Sequence, residues 1–221
     1  MSRKSRFGTF LIATGCLCII AAFAFVGFNL REDGMAGDAS QQALPSLRQA
    51  IEESSLKHVV AAEVIDEDDF GEGIMPTVIP DFVLNPEMSM PTMAIDGFDY
   101  CGVVTIPKLG LDLPVMDSYE YDWLRRAPCR WMGSAYTDDM IIVAHNYTSH
   151  FGTLKNLTVG DSVVFTDADG NEFHYEVCAM EELGTYDVEE AMAGDWDLTL
   201  ITCTIGGATR VTVRCELIQI L

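Results

Sequence analysis

Positive charge is scarce in this chain: 13 Lys and Arg stand against 34 Asp and Glu in 221 residues, a formal net charge of -21. A phosphate backbone would be repelled, so nucleic acid is excluded as a partner. Metal-ligating spacing is missing too. There is no Cys-x-x-Cys and no close His pair to hold zinc. Asp167, Asp169 and Glu172 imitate part of a calcium loop, but the ligand pattern is incomplete and Asp169-Gly170 reads as a hairpin turn. No metal or other cofactor is expected. Disorder throughout is excluded by composition, since hydrophobic residues make up 49% and charged residues 21%. The length suits one ordinary domain with an appendage.

Charge of either sign is absent from Phe7 to Leu30. Such a run is long enough to cross the roughly 30 Å hydrocarbon core as a helix rising about 1.5 Å per residue. Arg3, Lys4 and Arg6 precede it and Arg31-Glu32-Asp33 follow it, which predicts a cytoplasmic tip and an extracellular remainder. The rival is a cleaved signal peptide with Ala22-Phe23-Ala24 as its cleavage site, but apolar sequence continues to Leu30. An uncleaved anchor over residues 1–30 is the reading taken.

From Val59 to Pro107 there is no Lys, Arg or His, while Asp66-Glu67-Asp68-Asp69 and four prolines fall inside. Residues 31–98 are therefore expected to form an acidic, Pro-containing linker, extended by self-repulsion. Leu47, Ile51 and Val59 hint at a short amphipathic helix after Pro45, although Ser54 and Ser55 break the stripe. An alternative role for Asp96-Gly97-Phe98 is a lid over an active site.

Residues 99–221 change in pattern to short apolar runs punctuated by turns. Strands are expected at 102–106, 111–115, 141–144, 162–165, 173–177, 198–201 and 211–213, with only short helices near 121–124, 153–157 and 188–193. This points to an all-β barrel or sandwich.

Two of these strands end in reactive side chains. Thr199, Ile201 and Cys203 share one strand face, which places Cys203 at the rim, and His145-Asn146 ends another strand. A thiol is largely protonated at neutral pH, so a nucleophilic Cys needs a base or positive charge beside it. His145 and Arg210, the latter after the Gly206-Gly207 turn, are the candidates. Arg214 is expected at a surface-facing or rim position. His150 and His174 are read as structural, and Cys101, Cys129, Cys178 and Cys215 as buried small residues or disulfide partners.

Thr199-Leu200-Ile201-Thr202-Cys203 matches the TLxTC signature of the sortases, cysteine transpeptidases of Gram-positive bacteria, and the chain resembles that family across roughly residues 101–218. His145 upstream, Arg210 downstream, and Phe151, Leu154, Leu157, Gly160-Asp161 and Tyr175 between them carry the rest of the resemblance. It implies a closed eight-stranded β-barrel behind the N-terminal transmembrane helix, with Cys203, His145 and Arg210 catalytic and Thr202 and Asn146 near the substrate. It also implies a secreted protein bearing a C-terminal sorting signal as donor, and as acceptor an amine of a cell-wall precursor or another protein. Ala144 stands where the family usually has Gly, and the subclass stays open. The rival functions are a cysteine hydrolase on the same barrel and a non-catalytic surface β-domain that binds a partner.

Overall fold

The computed structural model describes residues 3–63 and 79–221. Three helices are present among them, α1 (Arg3–Glu63), α2 (Asp81–Leu84) and α3 (Val188–Met192). The strands are β1 (Met93–Ile95), β2 (Phe98–Ile106), β3 (Leu111–Met116), β4 (Cys129–Met132), β5 (Met140–Ala144), β6 (Ser162–Asp167), β7 (Glu172–Gly184), β8 (Leu198–Cys203) and β9 (Thr209–Ile220). They form one sheet in the order β1-β2-β3-β4-β5-β8-β9-β7-β6, and a further β2–β6 pairing turns eight of them into a ring. Two pairings in that ring, β3 with β4 and β5 with β8, are parallel; the others are antiparallel.

All seven expected strands form from β-branched and aromatic runs: β6 and the first half of β7 alternate in burial, whereas β2, β3, β5 and β8 are buried almost throughout. On β6 the inward Val163 and Phe165 are fully buried, whereas Ser162 is exposed. Phe165, Phe173, Tyr175, Leu154 and Leu200 meet inside the ring, and each fully buried side chain contributes on the order of 1.5–3 kcal/mol. The ring closes tightly at Gly102, opposite Asp167, where any Cβ would collide with the Thr166 carbonyl oxygen. β1 and β4, which carry Met93-Ala94-Ile95 and Cys129-Arg130-Trp131-Met132, were too short to stand out in the sequence.

Two expectations are overturned. The fold is not all-β, since α1 alone spans 61 residues. Nor are the described parts of 31–98 an extended tether. Beyond its apolar stretch α1 continues through Pro45, exposed on the outer face, and packs on the sheet. Ala43, Leu44, Leu47 and Ile51 are buried against Tyr100, Val103 and Met116, and Arg48 makes a paired contact with Asp112 (2.5 and 3.1 Å). Ser54 and Ser55, which break the apolar stripe, are polar contacts with the ring: Ser54 bonds Asp169 (3.1 Å) and Ser55 lies against Gly170. The docked stretch 31–57 carries three basic against five acidic groups, so little charge repulsion opposes its hydrophobic burial. Further on, Phe82 of α2 stacks on Tyr136 (4.4 Å between centroids) and tilts against Phe173. The acidic run Asp66–Asp69 and the side chain of Val59 lie outside the described residues.

The Asp96-Gly97-Phe98 triplet is the turn of the β1–β2 hairpin. Asp96 and Gly97 both have positive φ (52° and 82°) and Ile95 pairs with Phe98, the geometry that a two-residue hairpin loop demands. Phe98 packs edge-on against Trp123, under the Arg126 guanidinium, and is no lid over the site described next.

Candidate active site

β5 and β8 run parallel with Ala144 opposite Thr202, so the residues that leave the two strands, His145 and Cys203, emerge side by side. β9 returns antiparallel and sets Arg210 directly across from Cys203. All three line one cleft of about 450 Å³. Three sequence-distant side chains thus share a site because one parallel and one antiparallel pairing meet at the same rim.

Two hydrogen bonds fix that rim. The Thr202 hydroxyl, buried, donates to the Ala144 carbonyl at 2.9 Å, and Asn146 Nδ2 donates to the Thr204 carbonyl at 3.2 Å. Both side chains, expected near the substrate, therefore have their polar ends committed to clipping β8 to β5 on either side of Cys203. Thr202 still lines the cleft; Asn146 does not.

The His145 ring lies 4.9 Å from that of Tyr147 and 5.7 Å, edge-on, from that of Tyr121. Burial pushes its imidazole below the usual histidine range and nearby Arg125 adds to the effect, while Glu32 opposes it. The ring is therefore neutral at pH 7 and able to accept a proton. Cys203 is half-buried at the cleft. The other cysteines of the ring are unsuited to attack: Cys101, Cys129 and Cys215 are buried, and burial pushes the first two up to about 12 and the third higher. Cys178 is half-exposed on β7 with its thiol also raised, by partial burial and by Glu216 beside it. All seven cysteines are free.

The guanidinium of Arg210 donates from Nη1 to the carbonyls of Gly207 and Thr209 (3.2 and 3.0 Å), and these carbonyls hold it against the β8–β9 turn. Arg214 behaves differently from expectation. It is not at the surface or rim but 2% exposed, bonded to the Ala191 and Glu190 carbonyls (both 2.7 Å), Thr199 (3.1 Å) and Glu181 (3.1 Å). It receives the carbonyl end of α3 and holds that helix over the cleft. His174 pairs with Glu172 at 3.2 Å on β7, and His150 is buried against α1. Asp167, once a calcium-loop candidate, accepts from Tyr136, Asp169, Asn171 and the Asn171 side chain, which organises the hairpin turn.

The cleft also has walls that no motif marked. Tyr119, Tyr121, Trp131, Leu183, Val188 and Ala191 all line it, with Trp131 and Leu183 packed against the Ile141, Ala191 and Ile201 cluster. Tyr121 and Trp131 are large side chains left exposed or half-exposed beside a thiol, a signal that only becomes readable once the ring assembles.

The Sortase domain family matches residues 104–218. Solved structures share the fold. One is the sortase D5 transpeptidase of Clostridium perfringens, with 18% identity and a TM-score of 0.55 over 82% of this chain and 99% of that one. Sortase C of Streptococcus pneumoniae has 17% identity and a TM-score of 0.56 over 80% and 97%. Sortase A of Listeria monocytogenes has 18% identity and a TM-score of 0.50 over 55% and 88%. No curated protein matches significantly by sequence. At such identities the structural likeness is one of fold, and the family match rests on the sequence of the ring itself.

Proposed function

The chain belongs to the sortase family of cysteine transpeptidases, and from that premise we propose that Cys203, His145 and Arg210 carry an acyl transfer from a secreted protein's sorting signal to an amine. The observation that supports the reading is the double register, Ala144 opposite Thr202 and Cys203 opposite Arg210.

His145, neutral at rest, takes the Cys203 proton as the sulfur attacks the scissile carbonyl. The oxyanion that forms carries full negative charge in a half-enclosed cleft, where the fixed Arg210 guanidinium stabilises it. Collapse expels the leaving amine, which takes the proton from His145 and leaves a thioester on Cys203. The acceptor amine then attacks the thioester and gives its proton to His145. The sulfur leaves, receives that proton, and the free thiol is restored. Thr202 forms part of the cleft wall beside the acyl group.

The apolar part of α1 from Gly8 onward is exposed and long enough to span a bilayer. With Arg3, Lys4 and Arg6 on the cytoplasmic side, the ring lies outside the cell, where secreted donors and cell-wall amines are found. The deciding experiment incubates the full chain in detergent with C-terminal signal peptides, with and without candidate amines, and weighs the products by mass spectrometry. Amide-linked transfer products support the reading. Only hydrolysed peptide, whatever amine is added, would make the protein a cysteine hydrolase.

A further inference from the structure

A general acid-base His is normally oriented by a third group that bonds its far nitrogen. Among the described residues the His145 ring makes no hydrogen bond; the Tyr121 and Tyr147 rings flank it, and Arg125 and Glu32 act on it only through their charge. Its position therefore depends on the 145–151 segment, which leaves β5 at Ala144 and is buried again at Phe151. Between those ends the segment is held at Asn146 by the Thr204 carbonyl, at its turn by the Phe151 N–H on the His145 carbonyl (3.3 Å), and from Ser149 onward by the turns of α1 just beyond the apolar stretch.

The contacts sit on one face of the helix. Asp33 accepts the Ser149 backbone N–H at 3.0 Å and the Ser149 hydroxyl at 2.6 Å. Seven residues on, Ser40 donates to the Arg126 carbonyl at 2.7 Å and lies 3.0 Å from His150 Nε2. With the Ser40 proton committed to Arg126, His150 Nε2 is the donor to Ser40. The turns between are built for close approach: Ala36 is fully buried, and a Cβ on Gly37 would lie 3.0 Å from that of Ser149. Spacing of three, four and seven residues keeps Asp33, Ala36, Gly37 and Ser40 on the same side. Through Ser40 the helix also ties in the 123–126 turn, whose Arg125 acts on His145.

We propose that Asp33 and Ser40 are positioning residues for His145, so that the first turns of α1 beyond the apolar stretch belong to the transfer machinery. Asp33 follows Leu30 by about 4.5 Å of helix rise, which places the held segment at the level where the apolar stretch ends. The inference rests on His145 being the acid-base group.

The test uses the full chain in lipid nanodiscs, with Asp33→Ala, Ser40→Ala, the double variant, Asp33→Asn, and His145→Ala as reference. Displacing a reacting group by about 1 Å can cost about 100-fold. The double variant should lose roughly 10-fold to 100-fold in kcat with KM changed less than about twofold, and circular dichroism unchanged. Asp33→Asn, which keeps an oxygen facing Ser149, should recover most of the loss seen with Asp33→Ala. Asp38→Ala, exposed on another face of the same helix, should turn over normally. A folded double variant with kcat intact, or one in which KM rises and kcat does not fall, overturns the proposal. If His145→Ala itself keeps its turnover, it is the acid-base assignment that fails instead.

Discussion

Thr202 donates its hydroxyl to the Ala144 carbonyl at 2.9 Å, and the bond lies one residue before Cys203 on β8 and one residue before His145 on β5. The spacing between thiol and imidazole follows from that clip more directly than from any contact of the two side chains. Thr202→Val keeps the shape and removes the donor. The stability cost should be about 1–2 kcal/mol, the ordinary value for a lost buried hydrogen bond, while kcat falls about tenfold through looser geometry. Turnover and a urea melt measured on one preparation check both figures. Normal turnover would mean that the β5–β8 ladder alone sets the spacing.

Among the cysteines, only Cys203 is at the cleft. Cys203→Ala should form no acyl-enzyme, whereas Cys178→Ala should retain most activity because that thiol is on β7 and hydrogen-bonded to the Glu176 carbonyl. Intact-mass measurement of the trapped thioester distinguishes them. A thioester on the Cys203→Ala protein would remove the assignment.

The two arginines of β9 should fail in different ways. Arg210→Lys keeps the charge but loses the planar fork, and loss of an oxyanion donor typically lowers turnover by about 10²–10³. Its melting temperature should hardly move. Arg214→Lys leaves the α3 carbonyls of Glu190 and Ala191 without their fork, which should cost about 2–3 kcal/mol of stability and lower the melting temperature by several degrees. Paired rate and melting measurements decide. Should Arg210→Lys turn over normally, the oxyanion role does not belong to it.

His150 should make the fold acid-labile. Burial pushes its imidazole down to about 4, against about 6.5 in the unfolded chain. Between those values the unfolded state binds the extra proton, so stability is full above about pH 6.5 and is lost as pH falls toward 4, by about 3 kcal/mol in all. His150→Gln should flatten this part of the pH dependence, read from urea melts at several pH values. An unchanged slope would shift the cause to the carboxylates.

Much of the site was legible in the sequence because it is local. Strand alternation alone puts Thr199, Ile201 and Cys203 on one face, a turn residue ends each strand, and the Thr199–Cys203 motif with His145 and Arg210 in order carries the family resemblance. Seven strands of the ring stand out as short β-branched runs bounded by turns, although only β6 and β7 show period-two burial. Arg214 was misjudged because alternation assigns it the face of Arg210 but says nothing of what covers that face; α3 arrives from a different part of the chain and buries it.

The helix shows the same division at larger scale. Composition determined that residues 7–30 are uncharged and apolar enough to span a membrane, since each residue contributes independently of its neighbours. It could not determine that residues 33–55 would dock, because the apolar stripe of Leu44, Leu47 and Ile51 is broken by Ser54 and Ser55 and the rest of the contact face is Asp33, Ala36, Gly37 and Ser40, small or polar residues that carry little hydrophobic signal. Their value comes from close approach and from partners such as Ser149, Arg126 and Asp169 that lie more than 80 residues away. Only the closed ring brings those partners to the helix, so the tertiary structure alone decided that the segment beyond the apolar stretch docks on the ring and is not a tether.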